Sequence, residues 1–189
     1  MYTCTTGLAA LAFAGFVNGH ARMTTPQPRV TGPKQVELCG ALVTAVLESD
    51  LAGPIENAVD SADANYNCNA YLCRGYQYED NTSNVMALTA GDVIPCHIDL
   101  VAGHHPGWSN VSVVDLAANK IIGDELIYWA DWPDSTSGPP RNDTDFNVTI
   151  PDGLGSACDE GGQCAIQWYW WSDSNDQTYE SCLDFYIAS

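Results

Sequence analysis

Seven short stretches of this chain alternate apolar and polar residues, and turn-forming residues close each one off. They cover 85–89, 93–101, 111–117, 125–129, 146–150, 164–171 and 182–187. Gly91-Asp92, Pro133-Asp134, Gly138-Pro139-Pro140 and Pro151-Asp152-Gly153 punctuate them. Period two is the signature of a strand with one buried side, and each run is too short for a helical core. Many short strands at this spacing predict an all-β fold. The expected form is a single immunoglobulin- or fibronectin III-like sandwich of two antiparallel sheets. Helical periodicity is confined to 41–59, where one short helix or an ordered loop would end by Gly53-Pro54. At most one or two short helices are therefore expected. Residues 29–67 and 129–145 read as long loops at the edges of the sandwich.

The chain before residue 20 has a different character. Residues 8–17 form an apolar run too short to span a bilayer, followed by Val17-Asn18-Gly19, which suits signal peptidase. Residues 1–19 are therefore expected to be a secretory signal, and 20–189 one extracellular domain with a real core. Cleavage there would leave His20 with a free α-amine beside its imidazole, and those two nitrogens can chelate one metal ion. No other apolar run approaches spanning length. The net charge of −18 argues against nucleic acid and anionic membranes as partners. A neutral polymer or small ligand fits better, and a monomer is expected.

The chain has eight cysteines. Cys4 would leave with the signal, and seven in a secreted domain read as three disulfides and one odd thiol. Cys158 and Cys164 close a short loop and form the easiest bridge to propose. Cys96 is the expected odd one: in Val93–Val101, period two puts Ile94, Cys96, Ile98 and Leu100 on one apolar face. Asn-x-Ser/Thr sequons occur at Asn81, Asn110, Asn142 and Asn147, each a candidate glycosylation site. Asn147 alternates with Phe146 and Val148 and should face solvent.

The histidines are His20, His97, His104 and His105. His97 lies on the polar side of its strand and reads as an ordinary surface histidine. His104-His105-Pro106-Gly107 falls in the turn between two strands, so both rings should project from one end of the sandwich. Gln177-Thr178-Tyr179 enters the last strand and could reach the same end.

Taken in order, several segments resemble a lytic polysaccharide monooxygenase, most closely auxiliary activity family 16, which is associated with cellulose. They are His20-Ala21-Arg22-Met23 with Pro26–Arg29, Cys39-Gly40, Asn67–Gly75, His104–Asp115, Cys164–Trp171 and Asp176–Cys182. The resemblance implies a secreted, copper-dependent polysaccharide monooxygenase or peroxygenase that oxidatively cleaves a β-linked polysaccharide, with cellulose as the expected substrate. It implies one copper in a histidine brace. His20 would supply two nitrogens and His105 the third, with His104 as the alternative, and imidazole and amine suit copper. Tyr179 would be the axial metal neighbour, and Gln177 or Gln167 would hydrogen-bond the oxygen co-substrate, O2 or H2O2, with an external electron donor. Trp108 is the expected substrate-binding aromatic around the copper; Trp129, Trp132 and Tyr71 are weaker candidates. The same resemblance implies Cys73–Cys182, leaving Cys39–Cys68. Competing readings are a non-catalytic copper-binding relative and a plain carbohydrate-binding sandwich.

Overall fold

The structure is a computed structural model that describes residues 19–134 and 140–188, except the side chains of Arg141 and Asn142. The proposed signal before Gly19 lies outside the described residues, as does the side chain of the Asn142 sequon.

The alternating runs do form strands: β1 (His20–Thr25), β2 (Met86–Leu88), β3 (Val93–Ala102), β4 (Gly107–Asp115), β5 (Lys120–Ile121), β6 (Ile127–Trp129), β7 (Asp145–Thr149), β8 (Cys164–Ser172) and β9 (Gln177–Ile187). They make a three-stranded sheet, β1-β3-β7, and a six-stranded sheet, β2-β9-β8-β4-β5, with β6 also paired to β4. The core lies between them, as an immunoglobulin-like sandwich requires. Met23, Ile94, Cys96, Ile98 and Val148 come from the small sheet. Val111, Val113, Ile166, Trp168, Trp170, Tyr179, Leu183 and Phe185 come from the large one.

Several departures from the sequence reading matter. β2 pairs with β9 in parallel, so the sheets are not wholly antiparallel; a long connection, not a hairpin, delivers β2 to that edge. β4 starts at Gly107, four residues before the alternating run at 111. β9 starts at Gln177, five before 182, and β1 had no strand signal. The long loop holds three helices, α1 (Pro33–Cys39), α2 (Ala41–Ser49) and α3 (Ile55–Val59), and a short α4 (Arg141–Thr144) follows later. α1 has Pro33 in its first turn, where a missing N–H costs nothing. Gly53-Pro54 separates α2 from α3 instead of ending the helical region.

The early part of β9 is polar yet buried, which hides it from a hydrophobic pattern. Thr178, Glu180, Cys182 and Asp184 alternate on its outer side, covered by the 73–76 segment. Burial pushes the Glu180 carboxyl up to about 8, against the pull of Arg74, whose N–H donates to Glu180 Oε2 at 3.2 Å. Arg29 clamps Asp184 with two hydrogen bonds, Nε to Oδ2 at 2.7 Å. Cys73–Cys182 ties this cover to the strand, Cys39–Cys68 ties α1 to the following loop, and Cys158–Cys164 closes its short turn. Cys96 is a buried free thiol, pushed up to about 12 by burial.

Two sequons do not suit glycans. Asn81 is buried, and its Nδ2 donates to the carbonyls of Val30 and Gln77. Asn110 is buried too, with Nδ2 given to Glu125 Oε1 at 3.3 Å. A glycan needs that nitrogen and open space around it, and neither asparagine offers both here. Asn147 is exposed on β7, as expected.

Candidate metal centre

Strand register builds one wall of the site. Gln177 pairs with Ser172, and Tyr179 pairs with Trp170. Residues two apart share a face, so Gln177 and Tyr179 both point to the core side at the rim of the large sheet. Trp170 stacks on Tyr179 with ring centroids 4.2 Å apart. Tyr179 Oη donates to Gln177 Oε1 at 2.8 Å. Burial, reinforced by the negative charges of Glu56 and Asp50, holds the phenol above its usual range and keeps it protonated.

The opposite wall is the start of β1. His20 sits across from Ala102 of β3. Its Nε2 donates to Asp50 Oδ2 at 2.7 Å, because a carboxylate can only accept. In the neutral ring that leaves the lone pair on Nδ1. Asp50 is itself held: Arg74 Nη2 donates to its carbonyl at 3.1 Å, and Nη1 to that of Gly53 at 2.7 Å. Ala21 N–H donates to Ala52 O, so the turn after α2 lies along β1.

Gly19 joins the two walls. It is buried, and a Cβ built on it would collide with His104 Cδ2, Tyr179 Oη (2.8 Å) and Trp170 Cη2 (2.9 Å). His104 is therefore the histidine packed against Gly19, the residue before His20. Asn175 Nδ2 donates to His104 Nε2 at 2.9 Å and lies 3.4 Å from Gln177 Oε1. A polar chain thus runs from His104 through Asn175 and Gln177 to Tyr179.

His105, the ring expected to complete the brace, has its Nδ1 engaged with the 131–133 segment. Its Nδ1 meets Asp131 Oδ1 at 3.0 Å and Pro133 O at 3.1 Å. His97 pairs with Asp145 on the exposed side of the small sheet, as a surface histidine should. Gln167 pairs with Cys182, on the other face of the sheet from Tyr179. Trp108 pairs with Trp171 on that same outer face, not around His104. Trp129 packs edge-on against Phe146, Trp132 is fully buried, and Tyr71 is exposed on a loop.

Asp50 and Asn175 were missed. Asp50 lies thirty residues from His20, and Asn175 sits in a polar turn that reads as solvent. Among the described residues no group of three or more His, Cys, Asp or Glu side chains could hold a metal ion. An amine with two imidazoles uses only two side chains, so that donor set is judged by the groups gathered around Gly19.

No protein-family model matches the chain, and no curated protein matches it. Among solved structures, it is similar to a chitin binding domain from Burkholderia pseudomallei, at 10% identity and a TM-score of 0.51. That match covers 90% of this chain and all of the other, and it supports the sandwich fold. A lytic polysaccharide monooxygenase from Jonesia denitrificans also matches, at 13% identity, 89% and 100% coverage and a TM-score of 0.40. Bacillus amyloliquefaciens CBM33 in complex with Cu(I) matches at 8% identity, with the same coverages and a TM-score of 0.44.

Proposed function

We propose that cleavage after Gly19 yields a secreted protein that holds one copper ion at its new N-terminus. Its reaction is oxidative cleavage of glycosidic bonds in a β-linked polysaccharide, with cellulose as the first substrate to try. The supporting observation is the place of Gly19. The residue lost on cleavage fills the space between His104 and Tyr179 Oη, directly before His20. Its removal would leave the α-amine of His20 facing that space.

The amine, the His20 imidazole and the His104 imidazole then form a three-nitrogen donor set that copper accepts in both oxidation states. Asp50 orients the His20 ring through Nε2, the outer-sphere contact that metal-binding histidines usually have. His104 would exchange its hydrogen bond with Asn175 for the metal. Tyr179 would stand beside the metal, its phenol kept protonated by burial. Gln177 accepts the phenol's hydrogen bond and would offer its amide to the oxygen co-substrate. Bound copper would supply the one-electron chemistry by which O2 or H2O2, with an external reductant, oxidises a C–H bond beside the linkage. No pair of catalytic carboxylates is then required.

One observation favours a second reading, a carbohydrate-binding sandwich without redox chemistry: the aromatic residues Trp108, Tyr128 and Tyr169 cluster on the outer face of the large sheet, opposite the face that carries Tyr179. Calorimetry with Cu(II) and mass spectrometry of products from cellulose with ascorbate separate the two. The mature chain should bind one Cu(II) at least a hundredfold more tightly than a chain retaining Met1, and should release oxidised oligosaccharides. His104→Ala should abolish both, and His105→Ala should leave both nearly intact. Equal copper affinity of His104→Ala and the unaltered mature chain would sink the assignment.

A further inference from the structure

The residues of β4 and β8 that alternate with the core build an aromatic face on the outside of the large sheet. Trp108 and Tyr169 have ring centroids 5.2 Å apart, and Tyr128 of β6 extends the row at 6.1 Å from Trp108. Trp171 lies directly across from Trp108 in register. Tyr128 is 53% exposed, and Trp108, Tyr169 and Trp171 are half-buried. Their faces are not needed by the core, which lies on the other side of the sheet.

Polar groups are set among these rings. Asn110 stands across from both Tyr128 and Tyr169 and donates to the exposed Glu125. Trp171 Nε1 donates to Asp173 Oδ1 at 2.8 Å, which fixes the angle of that indole. The Trp171 ring is therefore held in place before any ligand arrives, and ordering it on binding costs little.

We propose that this face binds an extended, uncharged β-linked glucan chain. Flat rings stack on the C–H faces of pyranose units, while the carboxylates of Glu125 and Asp173 meet the equatorial hydroxyls along the chain edges. A protein partner would instead call for an interface centre depleted of charge, and here carboxylates stand among the rings. The charge of −18 repels polyanions, so the polymer is neutral. The Trp108–Trp171 row lies one residue from the rim row Gly107–Ser172–Gln177. A glucan on this face therefore runs toward the lip beside His104. Only that last step rests on the copper reading; binding on the face needs no metal.

Adsorption of the EDTA-treated mature protein to microcrystalline cellulose tests it. Tyr128→Ala should weaken the partition constant about fivefold, and Tyr128→Ala with Trp108→Ala further still, since each removes one stacking ring. Tyr128 is exposed, so its circular dichroism and Tm should match the unaltered protein, whereas His104→Ala should adsorb normally. Unchanged isotherms for Tyr128→Ala, failure of the unaltered protein to adsorb, or a dimer that Tyr128→Ala splits in sedimentation would each overturn the proposal. Weakened adsorption by Tyr128→Ala in a protein that never binds copper would keep the face and discard the metal reading. Normal adsorption by Tyr128→Ala in a copper-binding, product-forming enzyme would do the reverse.

Discussion

Trp170 and Trp171 are neighbours in sequence and opposites in circumstance. Trp170 is fully buried, stacked on Tyr179 and packed edge-on against Trp132 with centroids 5.1 Å apart. Trp171 is half-exposed on the other face, with its rim hydrogen-bonded to Asp173. The same division runs across the sheet: Ser109, Trp170 and Tyr179 look inward, while Trp108, Trp171 and Thr178 look outward. Alternation lets one short stretch of strand supply both the wall of a candidate reaction centre and a surface for a polymer. The two faces can then be changed almost independently, because a side chain on one does not touch those on the other.

The largest expected effect is on the inner face. Trp170→Ala should destabilise the protein by about 3–5 kcal/mol, the usual cost of emptying a buried aromatic site. Thermal unfolding should show a fall in Tm of roughly 10 °C. The same change removes the ring that holds Tyr179 flat, so the Cu(II) spectrum should change as well. A loss below about 1 kcal/mol would mean that the inner face is not a packed wall.

A middling effect is expected from the orienting carboxylate. Asp50→Ala leaves the fold but frees the His20 ring to rotate, and copper affinity should fall about tenfold to a hundredfold by calorimetry. Asp50→Asn keeps an accepting oxygen and should recover part of that loss. If Asp50→Ala binds copper as tightly as the unaltered mature chain, the His20 ring is positioned by something other than this hydrogen bond.

How far the sequence exposed this arrangement depended on whether burial and polarity agreed. In β3 and β8 they do, and both strands end within a residue of where alternation places them. In β9 they disagree: Glu180 and Asp184 are buried under the 73–76 segment, so half the strand carries no hydrophobic signal. The disulfides followed from spacing and family resemblance together. The choice between His104 and His105 could not be made from the pattern, because adjacent residues in a turn point in unrelated directions. The outer-face position of Trp108 was hidden for a related reason. With the strand begun at 111 it looked like a loop residue near the histidines; begun at Gly107 it becomes an outward strand residue. Asp50 and Asn175 act through contacts that no local spacing encodes.

The smallest expected effect sharpens the comparison most. Trp171→Ala removes a half-exposed indole and one surface hydrogen bond, worth about 1 kcal/mol together. Its Cβ points away from Tyr179, so copper affinity should stay within about twofold of the unaltered protein, a shift of under 0.5 kcal/mol. Adsorption to cellulose should weaken, since the indole lies beside Trp108. The measurement is a matched set of unfolding, copper and adsorption curves for Trp170→Ala and Trp171→Ala. If Trp171→Ala loses as much stability and copper affinity as Trp170→Ala, the two faces are mechanically coupled. The rim would then act as a single unit, and neither face could be assigned a separate task.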